Sequence, residues 1–200
     1  MNVIQSETKW DQLLRIKTTG RDDSRSDTYR YPYEPTPYCV LERLANSGYL
    51  TAGDVLVDYG CGKGRVDFAL SYLTKVKSIG IEYDERIYNS AVENKETGAA
   101  AGRVSFLLQD AETYELPEEV NRCYFFNPFS VELLRKVMSR IVESYYQAPR
   151  EMLLFFYYPS DEYISYLMTV DELEFLDEID CGDLFAENIE RERVVIFCIN

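Results

Sequence analysis

Residues 55–64 read Val-Leu-Val-Asp-Tyr-Gly-Cys-Gly-Lys-Gly, and this run restricts the fold more than any other part of the chain. An apolar stretch too short for a helix meets alternating glycines. A helical pattern follows at once, with Val66, Phe68, Ala69, Leu70 and Leu73 on its apolar side. Strand, tight turn and helix in immediate succession are the opening unit of a parallel α/β sheet. Gly60 and Gly62 let the backbone turn and approach a ligand, and Gly64 lets the helix pack near the strand. The N–H groups at such a helix start favour an anionic group such as a carboxylate. Dinucleotide-binding folds use a similar device, but the last glycine of Gly-x-Gly-x-x-Gly falls here on Arg65, so that pattern fails.

The remaining chain alternates in the same way. Strands are expected at 55–57, 76–83, 104–108, 123–126 and 152–158, and helices at 38–49, 65–73, 85–94, 131–146 and 160–169. Two last strands, 173–179 and 194–199, are joined by about fifteen residues with no clear helix. That link is too short for a parallel crossover, so the pair is expected to be antiparallel. The fold class is α/β, mostly parallel with an antiparallel last strand and helices on both faces. Residues 1–18 predict a helix with Trp10, Leu13, Leu14 and Ile16 as apolar positions, and 18–30 read as a mobile loop or lid. The segment 31–38, Tyr-Pro-Tyr-Glu-Pro-Thr-Pro-Tyr, opens the next helix near Pro37. Residues 1–35 are thus expected to form an N-terminal helix and lid-like segment, and 36–200 the main domain.

Two acids follow the glycines in order. Ile79-Gly80-Ile81-Glu82 ends the second strand, and 104–111 ends the third with Asp110 and Ala111. Singly, each acid reads equally well as a solvated loop carboxylate. Together, at the carboxyl ends of neighbouring strands, they line the crevice where open α/β sheets bind ligands, and a carboxylate at Glu82 can accept from both hydroxyls of a ribose. Asp58-x-Gly60-x-Gly62-x-Gly64 with Glu82 and Asp110 resembles the class I S-adenosylmethionine-dependent methyltransferases, over roughly residues 36–200. The resemblance implies a small single-domain member on a seven-stranded Rossmann-like sheet, with S-adenosylmethionine as cofactor. It implies cofactor contacts from Asp58, Gly60, Cys61, Gly62, Gly64, Glu82, Tyr83, Asp110 and Ala111, with Asp110 at the adenine amino group. Ala91 and Asn94 match an Ala-x-x-Asn of the family's second helix.

The fourth strand runs into Tyr124-Phe125-Phe126-Asn127-Pro128-Phe129, which looks like a shortened Asn-Pro-Pro-Tyr/Phe motif of amino-group methyltransferases, with one proline in place of two. The resemblance makes Asn127, Pro128 and Phe129 the catalytic turn. In it the Asn side chain and a following carbonyl accept hydrogen bonds from the amine, while the ring stacks on a planar acceptor. A strand end with a tight turn and packed aromatics accounts for the same residues. Tyr33 and Tyr38 fall where this family often closes an N-terminal segment over the cofactor, and aromatic faces suit a sulfonium. With 17 tyrosines in the chain, surface or core positions suit them as well.

Composition narrows the chemistry. The chain contains no histidine, which excludes Ser-His-Asp and Cys-His catalysis and the usual histidine-ligated metals, so no metal site is expected. Methyl transfer from a sulfonium to a neutral amine is an in-line displacement that needs chiefly alignment. The net charge is −14; residues 1–30 carry +1, so the rest carries −15. Such a body is a poor partner for naked nucleic acid, though a solvated acidic surface is the plainer account. Five cysteines, odd in number and without a Cys-x-x-Cys pair, argue against a disulfide framework or a zinc site. The start lacks a signal-peptide pattern and no apolar run suits a membrane helix, so a soluble cytoplasmic protein is expected. The expected activity is methylation of an amine nitrogen of a small molecule or a protein. No large insertion separates the last strands, which favours the first; an acidic face would attract a basic protein, which favours the second. A nucleobase N-methyltransferase and a catalytically inactive S-adenosylmethionine-binding regulatory or assembly protein are the alternatives. The oligomeric state is left open.

Overall fold

β1 (Val55–Tyr59) runs two residues beyond its apolar stretch, because Asp58 and Tyr59 continue the ladder opposite Gly80 and Ile81 of β2 (Lys77–Glu82). The computed structural model describes residues 3–20, 34–187 and 189–199. The other strands are β3 (Val104–Leu108), β4 (Arg122–Phe125), β5 (Met152–Tyr157), β6 (Leu173–Asp180) and β7 (Arg193–Ile199). They form one seven-stranded sheet in the order β3-β2-β1-β4-β5-β7-β6. The first five strands run parallel. β7 is antiparallel to both β5 and β6, as the short link after β6 requires. This is the Rossmann-like sheet expected from the sequence, with its antiparallel last strand inserted between β5 and β6.

Two cores cover the sheet, and each strand alternates between them. Leu56, Tyr124, Phe155 and Ile196 face the core under α1 (Val3–Leu14), α2 (Tyr38–Ala45) and α3 (Arg65–Thr74), where Ala91 of α4 (Glu85–Thr97) is also buried. Val57, Phe125, Phe156 and Phe197 face α5 (Val131–Gln147) and α6 (Asp161–Leu167). β5 is buried along its whole length, as an apolar run covered on both faces should be.

Element ends differ from the expectations in informative places. The helix expected over 1–18 stops at Leu14; Arg15 turns at φ +56, and residues 15–18 instead bond to α1 and α4. The helix expected over 38–49 stops at Ala45, because a turn through Asn46 and Ser47 reaches Gly48 at φ +88. Phe126 leaves the sheet rather than ending β4, and Tyr158 leaves it rather than ending β5. No helix of the described residues is long and apolar enough to cross a membrane. Tyr33 lies outside the described residues, as does the stretch 21–30.

Candidate functional site

The glycine loop folds back over β2. Gly60 N and Cys61 N both donate to Ile81 O, at 2.9 and 3.0 Å. Gly60 has φ +78, and a Cβ on it would stand 2.6 Å from Pro128 Cβ, so the loop touches the turn after β4 directly. Gly64, at φ +84, starts α3, and a Cβ there would meet the Phe106 ring at 2.4 Å. Only glycine combines a left-handed backbone with such contacts.

Glu82 braces this loop. Its carboxylate accepts from Gly62 N at 3.1 Å and from Tyr83 N and Asp84 N at 2.9 Å. Burial pushes its pKa up, and the backbone N–H groups oppose that shift without cancelling it. Asp110 caps the short turn after β3, accepting from Glu112 N at 3.2 Å, with Ala111 beside it; Tyr83 is partly exposed. Asn94, singled out beside Ala91, donates to Lys63 O at 2.9 Å and accepts from Lys17 N at 2.8 Å, tying the loop to the N-terminal segment.

Asp58 is placed under the loop rather than in the crevice wall. It is buried on the α3 face of β1 against Asp67, whose other partner is the Ser78 hydroxyl. Burial raises the pKa of both carboxyls, and the neighbouring Asp67 raises Asp58 further. Asp58 Oδ2 and Asp67 Oδ2 are buried without a hydrogen-bond partner among the described residues. The Cys61 thiol beside them is likewise driven up by burial and by these acids.

Tyr38 is not an open aromatic face. Its ring stacks on Trp10 at 5.4 Å, Arg65 Cζ lies 4.3 Å from its centre, and its hydroxyl donates to Asp11 at 2.6 Å. It is 1% exposed, and burial with the Asp11 bond raises its pKa far above the usual phenol range. Arg65 is the hub of this packing: it pairs with Glu7 and donates to Thr18 Oγ1 at 2.7 Å and Thr36 O at 3.2 Å. From sequence, Arg65 was notable only for breaking the dinucleotide pattern.

Beyond β4, the stacking role that the resemblance implies for Phe129 does not fit its position. Its ring is buried edge-on against Phe125 in the α5 core, and its carbonyl accepts from the Tyr163 hydroxyl. The half-buried rings at this end are Phe126 and Tyr158. Asn127 is half-buried at φ +39; its Nδ2 donates to Tyr158 O and its Oδ1 accepts from Ser160 N at 3.4 Å. Tyr158 is itself at φ +50. Two strained non-glycine residues thus face each other across the ends of β4 and β5, as they do at functional sites. Nothing local in the sequence marks Tyr158, because its strain comes from contacts with Asn127 and with Arg191.

No family model matches this chain. It is 31% identical over 77 residues to a protein-lysine N-methyltransferase of Saccharolobus islandicus, covering 38% of this chain and 48% of the relative. It is 31% identical over 107 residues to a ribosomal protein L11 methyltransferase of Xylella fastidiosa, covering 50% of this chain and 35% of the relative. The chain thus spans about half or less of the curated relatives it matches. Among solved structures, an RNA methyltransferase of Salinibacter ruber in complex with S-adenosyl-L-homocysteine superposes with a TM-score of 0.57 at 20% identity, covering 83% of this chain and 94% of that one. A mitomycin 7-O-methyltransferase superposes with a TM-score of 0.62 at 13% identity, covering 82% and 54%. The fold is that of the class I methyltransferases.

Proposed function

We propose that this chain, built on the class I methyltransferase fold, is an S-adenosylmethionine-dependent enzyme that methylates an amine nitrogen. The observation that carries the reading is the contact of Gly60 with Pro128, which sets the cofactor loop against the turn that carries Asn127. The relatives that share sequence with it act, by their names, on protein lysine and on ribosomal protein L11.

The residues present suit the cofactor. A carboxylate offers about four acceptor positions, and the three N–H groups on Glu82 leave room for a ribose hydroxyl. Asp110 stands at the adenine end. Asp58, buried beside Asp67, lies beneath the loop that would hold the methionine end. When bound, S-adenosylmethionine supplies a methyl group on a positively charged sulfur. The chain's own work is positioning. Cys61, Gly62 and Gly64 shape the loop, Asn94 fixes its Lys63 carbonyl, and the Arg65 network anchors the N-terminal segment beside it. Asn127 ties the turn after β4 to the Tyr158 carbonyl, so Asn127, Pro128, Phe126 and Tyr158 form the wall against which the acceptor is aligned.

Calorimetry with S-adenosylhomocysteine and with NAD tests the cofactor, and transfer of radioactive methyl to a cell extract sorted by size tests the acceptor. The expected result is micromolar binding of the first and label on protein. Binding of NAD alone, or label confined to nucleic acid, would sink the reading.

A further inference from the structure

The link between β6 and β7 returns one cation to the acceptor end of the sheet. Arg191 Cζ lies 4.4 Å over the centre of the Tyr158 ring, and its Nε and Nη2 donate to Pro159 O and Tyr158 O, each at 3.3 Å. Those partners are a π face and two neutral carbonyls, in a chain of net charge −14 where carboxylates are plentiful. A guanidinium normally gains more from a carboxylate, which it binds with charge-assisted bonds. Acids are near in sequence on both sides: Asp161 and Glu162 open α6 just after Tyr158, and Glu187 and Glu190 come just before Arg191, all exposed. Tyr158 is held at φ +50, and its carbonyl also accepts from Asn127. A strained residue persists only where its surroundings over-determine it. Here they present a ring face and two carbonyls, in a stretch of chain rich in exposed acids, which is the chemistry that receives an ammonium or guanidinium group.

We propose that the Tyr158 ring with the carbonyls of Tyr158 and Pro159 forms a recognition site for a lysine or arginine side chain of a protein acceptor, and that Arg191 fills it as an internal stand-in. This rests on the amine-methylation reading and narrows its substrate to a basic peptide segment. The cation bound here is not the nitrogen that is methylated, which must be neutral to offer a lone pair. It is a neighbouring basic residue that sets the register of the segment beside Asn127. The acceptor then displaces Arg191, and the exposed acids near Tyr158 and Arg191 in the sequence favour its approach.

Competition with Arg191 gives the test. Wild type, Arg191→Met and the double variant Arg191→Met/Tyr158→Leu are titrated with the capped peptide Gly-Lys-Arg-Lys-Gly in the presence of S-adenosylhomocysteine. Binding of S-adenosylhomocysteine is recorded on the same preparations. Methionine keeps an unbranched stem over the ring while removing the charge; Arg191→Gln gives the same comparison should the first variant melt early. Arg191→Met is expected to bind the peptide about tenfold more tightly than wild type, since a competing contact has been removed. Adding Tyr158→Leu is expected to cancel that gain. Equal or weaker peptide binding by Arg191→Met, with S-adenosylhomocysteine binding intact, overturns the proposal and leaves the enzyme reading standing. So does a preference for a short RNA hairpin over the peptide. Loss of S-adenosylhomocysteine binding by wild type itself strikes the methyltransferase reading and takes this one with it.

Discussion

At the ends of β1 and β2 the backbone strain falls on glycine, whereas at the ends of β4 and β5 it falls on Asn127 and Tyr158, at φ +39 and +50. The cofactor side uses residues for which a left-handed conformation costs little, and its acid Glu82 is satisfied by backbone N–H groups within two residues or on the adjoining loop. The acceptor side holds non-glycine residues in the same region by side-chain bonds across 31 residues of sequence. A left-handed non-glycine residue costs roughly 1–2 kcal/mol, which the Asn127–Tyr158 bond and the Arg191 contacts must offset. The cofactor side is therefore rigid through local geometry, and the acceptor side is rigid only while its long-range contacts hold.

The contact between the two sides is the place to break that comparison most severely. Gly60→Ala combines a strained φ with a Cβ 2.6 Å from Pro128 Cβ, both on backbone or a ring that cannot swing aside. Strain and overpacking together are expected to cost roughly 2–5 kcal/mol of stability and to displace the Asn127 turn. Denaturant midpoints measure the loss; an unchanged midpoint would show that the two sides are not in firm contact.

Glu82→Ala separates the sides instead of disrupting both. It removes the brace of Gly62 and, on the proposed reading, a ribose partner, each charge-assisted bond being worth about 1.5–3 kcal/mol, so S-adenosylhomocysteine affinity should fall at least about tenfold. Asp110→Ala should weaken binding less, because Asp110 is expected to make one contact to the adenine end. Titration calorimetry ranks the two, and equal affinities would reduce Glu82 to a structural brace.

The glycine loop and the acids at the strand ends were legible because each is a short local pattern: glycines directly after β1, Glu82 closing β2 and Asp110 just beyond β3. The seven strands and the antiparallel β7 were legible for a similar reason, since a short link leaves few topologies, whereas the place of β7 between β5 and β6 came only from the structure. Three features were not legible. Asp58 matches the family pattern, yet its burial against Asp67 depends on where α3 lies over the sheet. Tyr38 resembled a lid residue because an aromatic after prolines is exposed as often as not, and its place between Trp10 and Arg65 is a tertiary fact. Tyr158 and Arg191 meet across 33 residues, and no spacing rule joins them.

The Asp58–Asp67 pair gives a pH handle on the cofactor side alone. In the folded chain the pKa of each carboxyl is raised by burial, and that of Asp58 also by its neighbour. Groups raised above their unfolded values near 4 stabilise the fold fully below that value and lose the contribution as pH climbs through the raised folded values. Stability should therefore fall as pH rises from about 4 through about 7, the raised value of Asp67, by at most about 1.4 kcal/mol per unit for one proton lost. Asp58→Asn should flatten the slope, because the amide can donate to Asp67 without titrating. Melting curves across that range decide it, and an equal slope in wild type and variant would place the titrating group elsewhere.

Asn127→Ala tests the acceptor side with the smallest intervention. Its side chain holds Tyr158 O and Ser160 N, so its loss should release the turn after β5 and lower stability by about 1 kcal/mol, the net worth of such bonds. If that turn aligns the acceptor, turnover should also fall at least about tenfold, a barrier increase of about 1.4 kcal/mol. Cofactor affinity should stay within about threefold, because an interaction that matters chiefly in the transition state appears in the rate and not in ground-state binding. A purely structural Asn127 predicts another pattern: a lower melting temperature with unchanged activity per folded molecule. Single-turnover rate and melting temperature on one preparation separate the two. The Arg191 contacts to Tyr158 do not depend on this side chain, so a destabilised but fully active protein would refute the positioning role of Asn127 and the main reason for preferring an amine acceptor.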